Sequence, residues 1–441
     1  MISRALSLCR SRKISKLWLT LEFSDLLVVF LKLIFLPLRR GKLTKQLEAK
    51  FTQLFPGHNA VMFPHARTGL YCLFNVLGLE KGSEIIMTPL TIAEMVNSVH
   101  CSGLQPVFVD VELGTMGANL DDLRRVISPK SRAILLTNVS GLVASNVEEI
   151  QRIAKENNLL LIEDCSQCYM GKFKGQSVGT LGDVSIISLT NFKICSTLFG
   201  GLVLIKDRKI KDKLVEAVGR DLLPPRKNLM LKLVAKNLIY SVLFSRYVFS
   251  YFTFFIVYIL ECISSELTYR LYSGNVSVLM GGYQKALRDV FPKEYLPDYS
   301  DLQAGIGLRN LARTKERTNI RMHNGKLLRA LLVDIPDLGL PSDQSGVEHA
   351  YWRFPVVTTH WAELKRFLLD HGIDTAQTYL SLCNREPEFE QYQRTLPNAE
   401  YFKDNCLLIE VHEGLKEDDI RFTASLIQRF FHQIRSPTNA G

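Results

Sequence analysis

Two kinds of apolar pattern divide this chain. Between residues 43 and 205, apolar residues come in short runs separated by stretches of helical spacing. The runs at 60–63, 84–87, 106–109, 133–137, 159–162, 184–189 and 201–205 have the length of buried strands. Leu43, Leu47, Phe51 and Leu54 recur at helix period ahead of the first run, and helical patterns fill 68–77, 92–101, 120–126 and 147–157. Such alternation predicts an α/β domain, a mostly parallel sheet with helices on its faces. No fixed-period repeat is present.

The second pattern is continuous apolar sequence. Residues 17–38 are apolar but broken by Glu22, Asp25, Lys32 and Pro37. No small-residue cleavage site follows a clean apolar core, so a secretory signal is not expected, nor is a clean spanning helix. An interfacial helix with a basic flank is the preferred reading. A buried or oligomer-covered helix is the alternative, and the Arg- and Ser-rich start also fits a mitochondrial transit peptide. Residues 238–263 carry only Arg246 and Glu261 as charges, and Arg246 splits them into eight and fourteen apolar-rich residues. Those lengths suit a re-entrant or interfacial hairpin, so a monotopic membrane element is expected here. An oligomer interface or extra core remains the alternative. 

Charge sharpens this picture. The 441 residues carry a net +10, and residues 1–50, with eleven Lys/Arg against three Asp/Glu, supply +8 of it. The rest is nearly neutral, which argues against a nucleic-acid partner and for a basic arm on an anionic membrane surface. The nine cysteines are odd in number and scattered, as in a reducing compartment. Together these predict a location on the cytoplasmic face of the membrane, peripheral or monotopic.

Candidate chemistry lies at the ends of two strand-like runs. Asp164 follows the run at 159–162, and Lys193 follows the run at 184–189, 29 residues further on. Ligands of open sheets collect outside the carboxyl ends of strands. An acid and an amine placed there suit pyridoxal phosphate: the lysine joins the aldehyde, and the acid keeps the pyridinium nitrogen protonated. By itself this spacing is weak, since most such residues are caps or solvated surface.

The surrounding residues strengthen it. Ile162-Glu163-Asp164-Cys165-Ser166-Gln167, Lys174-Gly175, Val178-Gly179, Gly182-Asp183, Ser188, Lys193 and Gly200-Gly201 resemble, in order and spacing, the core signature of the DegT/StrS family. These are pyridoxal-phosphate-dependent sugar aminotransferases of fold type I. The resemblance extends over roughly residues 41–210 and resumes from about Tyr299. It implies a mostly parallel central sheet with helices on both faces, a smaller C-terminal α+β domain and, peculiar to this chain, an inserted apolar helical segment. The expected divisions are 1–40 (membrane-associating), 41–206 (cofactor-binding), 207–292 (apolar insertion), 293–330 (return helices) and 331–441 (small domain).

The resemblance also assigns roles. Ala66, Arg67 and Thr68, in the turn His65-Ala66-Arg67-Thr68-Gly69, would cradle the cofactor phosphate at a helix N-terminus, with Ser188 reaching the same group. Asp164 would hold the ring nitrogen, Gln167 the ring hydroxyl, and Lys193 would be catalytic. Ile92 stands where the family has an aromatic residue stacked on the ring. Tyr379 would border the substrate pocket, without the histidine that usually follows. Leu296 and Asp298 stand where the family has Asn and Arg, the former reaching a neighbouring subunit's cofactor. His349 reads as structural. Cys165 and Cys168 read as small packing residues, and no metal site is expected. The implied activity moves an amino group from an amino acid, glutamate by analogy, to a keto-sugar, nucleotide-linked or lipid-linked, in a homodimer making cell-surface glycans. A sugar dehydratase, which carries histidine in place of the lysine, an inactive membrane-bound scaffold and an acyl-transfer enzyme are the other readings.

Overall fold

The computed structural model describes residues 13–264, 268, 287–378 and 380–435. Tyr379, the first twelve residues and most of 265–286 lie outside the described residues.

The chain enters as an extended strap, residues 13–22, followed by α1 (Phe23–Phe35) and α2 (Lys42–Leu54). The sheet strands and their helices then alternate: β1 (Asn59–Phe63), α3 (Ala66–Leu77), β2 (Glu84–Met87), α4 (Ala93–His100), β3 (Gln105–Phe108), α5 (Leu120–Val126), β4 (Ser131–Thr137), α6 (Val147–Glu156) and β5 (Leu160–Asp164). Next come β6 (Val184–Ser188), β7 (Gly201–Ile205) and α7 (Arg208–Asp221). The seven strands lie in the order β1-β7-β6-β5-β4-β2-β3. β7 is antiparallel to both neighbours, and the remaining pairs are parallel. The strands are buried on nearly their whole length because helices cover both faces, which is why each reads as an unbroken apolar run.

Two helices, α8 (Lys227–Leu243) and α9 (Arg246–Ile263), follow, with a π-helical turn at Phe249–Thr253 inside α9. The long α10 (Asp301–Leu332) opens with a Ser300/Gln303 capping box and packs back on α2. The C-terminal part holds β8 (Phe354–Val357), α11 (Trp361–Asp370), β9 (Ala376–Gln377), α12 (Pro397–Asn405), β10 (Cys406–Ile409) and α13 (Glu417–Arg435). Its sheet has β10 between β8 and β9, all antiparallel.

The strap departs from the expected interfacial helix. Helix begins only at Phe23, and Ile14, Leu17 and Leu21 are buried. Ile14 bridges Ile373 through Ile14 N–H to Gly372 O (2.9 Å) and Asp374 N–H to Ile14 O (2.9 Å). Lys16 and Asp374 form a buried ion pair (3.1 Å). α1 packs Leu26, Val29 and Leu33 against Met230, Leu233 and Val234 of α8. Its opposite side leaves Leu31, Ile34 and Phe35 exposed, Phe35 by 80%.

Candidate active site

Parallel pairing of β5 with β6 sets Asp164 opposite Ile186, so both strands end at one edge of the sheet. α3 starts beside that edge, because β7 begins against the turn that leads into it. A Cβ on Gly201 would collide with the Ala66 nitrogen and the His65 carbonyl, so only glycine lets the strand approach this closely. At the helix start, Ala66, Arg67 and Thr68 offer amides with no intrahelical acceptor.

One cavity of ≈ 180 Å³ is lined by Ala66, Arg67, Ile92, Asp164, Gln167, Ser188 and Lys193 together. Thr68 is the exception among the residues expected at the cofactor. Its hydroxyl is buried and donates to Tyr295 O (2.9 Å), so only its amide faces the helix start. Arg67 is partly engaged, its guanidinium 4.8 Å from the Tyr295 ring and 3.6 Å from Glu94.

The acid and the amine perturb each other. Asp164 is only 6% exposed and accepts from the Ser166 amide (2.9 Å). Burial raises its carboxyl pKa, against the pull of Ser166 and of the Lys193 charge. Burial lowers the Lys193 ammonium to about 8, opposed by Asp164 and assisted by Arg353. Lys193 Nζ lies 4.5 Å from the Trp352 ring centre. Trp352 is fixed in turn, donating from Nε1 to Phe192 O (2.7 Å).

The neighbours are held by backbone. The Ser140 amide donates to Gln167 Oε1 (2.7 Å), leaving the Nε2 end of that side chain as a donor. Ser140 is at φ +56° and Gly141 at φ +84°, a left-handed pair that closes this turn. The Ser188 amide donates to Ser166 Oγ (3.1 Å), and its hydroxyl meets Thr190 Oγ1 (3.0 Å).

His65, Thr137, Asn138 and Thr190 also line the cavity, and sequence reasoning did not single them out. His65 is stacked on Phe199 (5.5 Å between centres), and neither ring nitrogen has a hydrogen-bond partner in the protein. Burial, with Arg67 nearby, pushes its pKa well below the ordinary value, so the ring is neutral. The Thr137 hydroxyl is likewise buried and unpartnered. Buried polar groups are seldom left unsatisfied. A polar ligand in this cavity would satisfy them, and the anion-binding amides, the acid and the amine match an anionic heteroaromatic aldehyde. Pyridoxal phosphate therefore fits these residues. Among the described residues no cluster of His, Cys, Asp or Glu could hold a metal ion, and Cys165 and Cys168 are buried free thiols.

Two positions that depart from the family pattern are used inside the chain. Asp298 receives the Arg40 guanidinium (2.9 and 3.0 Å), which also donates to Met62 O (2.6 Å). Leu296 accepts the Leu223 amide through its carbonyl (2.9 Å). His349 accepts the Val143 amide at Nδ1 (2.9 Å) and reaches Ser342 O through Nε2 (2.8 Å), a structural role.

A mostly parallel sheet with one antiparallel strand, a small C-terminal domain and a lysine facing an acid at the strand ends define the fold-type I transferase architecture. The chain matches the model of the DegT/DnrJ/EryC1/StrS aminotransferase family over residues 37–221 and 298–428, and it belongs to that family. It is 31% identical over 183 residues to a GDP-perosamine synthase of Escherichia coli O157:H7, a match covering 42% of this chain and only half (50%) of that relative. It is 24% identical over 394 residues to the dTDP-4-dehydro-2,3,6-trideoxy-D-glucose 4-aminotransferase of Saccharopolyspora spinosa, covering 88% of this chain and 89% of the relative. The solved aminotransferase of Psychrobacter cryohalolentis superposes with a TM-score of 0.72 at 21% identity, over 96% of this chain and 99% of that one, which establishes the fold.

Proposed function

We propose that the protein is a pyridoxal-phosphate-dependent aminotransferase that moves an amino group from an amino acid, glutamate in the simplest reading, to a keto-sugar for cell-surface glycan synthesis. The observation that carries this reading is the Lys193 amine, its pKa lowered by burial to about 8, lining with the buried carboxyl of Asp164 one cavity that has the start of α3 on its wall.

When bound, the cofactor supplies an aldehyde that captures amines and a ring that accepts electron density. The residues divide the remaining work. The α3 amides and the Ser188 hydroxyl would bind the phosphate. Ile92 would pack against the ring, and Gln167 Nε2 would donate to its hydroxyl oxygen. Asp164, buried away from competing water, would keep a proton on the ring nitrogen. Lys193 Nζ would act as general base and acid, taking a proton from the donor Cα and returning it to the product. A pKa near 8 leaves both forms of the amine available for that shuttle. The lysine itself opposes the dehydratase reading, since those relatives carry histidine there.

We place the enzyme, as a homodimer, on the cytoplasmic face of a membrane. In support, the apolar exposed residues cluster on three adjacent helices: Ile34 and Phe35 of α1, Ile239 of α8, and Phe252 and Ile259 of α9. Lys32, Lys227 and Arg246 are set among them. α9 is long and apolar enough to cross a membrane by length and composition. Its Tyr258 hydroxyl donates to Asp370 of α11 (2.8 Å), and its Glu261 pairs with Lys365, so one side of α9 lies along the protein body. That arrangement favours a helix dipping into one leaflet.

The test is turnover in detergent, supplying glutamate and a nucleotide-linked or lipid-linked 4-keto-sugar and measuring 2-oxoglutarate with the aminated sugar. Lys193→Ala should lower the rate by about 10²–10⁴-fold or more. Cofactor-loaded protein that consumes no amino acid with any keto-sugar would contradict the reading.

A further inference from the structure

Across the Phe192–Lys193 turn from the catalytic cavity lies a second cavity, of ≈ 430 Å³. That size falls within the ordinary range of small-molecule sites, about 300–1,000 Å³. Its walls include Leu17, Trp18 and Leu21 of the strap, Tyr240 of α8, Phe244 just beyond it, and Phe249 of α9, with Lys13, Arg317, Glu413 and Asp419 among the polar residues at its edges. The apolar and aromatic groups are supplied by the N-terminal extension and by the helices between the two stretches that match the family model.

Side-chain contacts link the two cavities. Phe192, next to the catalytic lysine, stacks on Tyr240 (6.4 Å between centres). The Thr20 hydroxyl of the strap donates to Lys193 O (3.2 Å). Arg353 donates to Lys16 O (2.7 Å) and stands over the Trp352 ring, on which Lys193 also rests. Tyr240, on the wall of the second cavity, is thus one ring away from the turn that carries the reactive amine.

The mouth adds charge and exposure to these apolar walls. Phe23 and Arg246 line the cavity and are exposed, and they belong to α1 and α9, which carry the apolar outer face. The cavity is thus continuous with that face. Glu22, also at the mouth, pairs with Arg313 (2.8 Å) and Arg317 (3.5 Å), and the exposed Arg246 beside it is a cation suited to an anionic head group.

We propose that this cavity binds the hydrocarbon chain of an anionic, phosphate-headed lipid, and that the sugar acceptor of the enzyme is carried on such a lipid. The second half of the statement rests on the aminotransferase reading; the first does not. A chain buried beneath α8 and α9 would hold its phosphate at Arg246 and its sugar on the protein side of the membrane surface. A nucleotide would leave the apolar walls unused.

Trp18 reports directly on the site. Full-length protein in detergent is titrated with 9,10-dibromostearate, a single-chain anionic quencher, and the Trp18 component is isolated by difference against Trp18→Phe. Quenching is expected, unchanged in Lys193→Ala and abolished in Ser241→Phe, which fills the cavity from α8. Decyl phosphate should displace the probe about tenfold better than decyl phosphocholine, and Arg246→Ala, an exposed change compatible with folding, should erase that preference. No quenching of Trp18 would overturn the site. Equal competition by the two decyl compounds would mean that bulk lipid chains enter, and would overturn the assignment of a phosphate-linked carrier. Because the readout is fluorescence, either failure leaves cofactor binding at Lys193 to be judged separately.

Discussion

Lys193 and Asp164 hold each other's protonation in check. Burial drives the amine toward its free base and the carboxyl toward its acid, and the attraction between their charges resists both shifts. In the cofactor-free protein the rate of pyridoxal phosphate attachment should rise with pH through about 8, not 10.5. Asp164→Asn removes the attraction, so the midpoint should move lower still; stopped-flow absorbance across pH reads it. Linkage gives a second sign. Between pH 8 and 10.5 the unfolded chain keeps a proton that folded Lys193 has lost, so stability should rise with pH in that window, and Lys193→Met should flatten the slope. The sequence made this pair legible because each residue ends an apolar run, and because Gln167 and Ser188 fall at family spacing around it. Trp352 and His65 were not legible. Trp352 reaches Phe192 across 160 residues, and the orphaned nitrogens of His65 follow from packing against Phe199, which no local pattern records.

Elements differ in how openly the chain declares them. All seven strands stood out because both faces are buried and each run is short and bounded. Arg246 breaks the apolar insertion in the sequence, and the structure ends α8 at Leu243 and starts α9 at Arg246. The strap was hidden. Its leucines look like the start of the helix that follows, and its partners, Ile373 and Asp374, lie at the far end of the chain. Once buried, the Lys16–Asp374 pair resists disruption, since removing one partner strands a charge. Lys16→Ala should therefore destabilise the protein by about 3–5 kcal/mol, read from urea midpoints. It should also make residues 13–22 sensitive to limited proteolysis. Unaltered stability and protease resistance would mean the strap contributes no anchorage.

At the scale of the whole molecule, a sheet-based transferase carries apolar helices on one side. If that face meets lipid, the protein should float with anionic vesicles, less so at high salt, where the basic residues are screened. The double variant Phe35→Glu/Ile259→Glu should stay in solution while keeping its circular dichroism spectrum. Variants that still float would locate the lipid contact elsewhere. The central claim concerns the site, and one measurement addresses it most directly. Detergent-purified protein, loaded with pyridoxal phosphate, is reduced with borohydride, digested and mapped by mass spectrometry, beside Lys193→Ala. The account predicts a visible absorbance band that reduction abolishes, with the cofactor fixed on Lys193. A protein that acquires no such band, or that carries the label on another lysine, would contradict it.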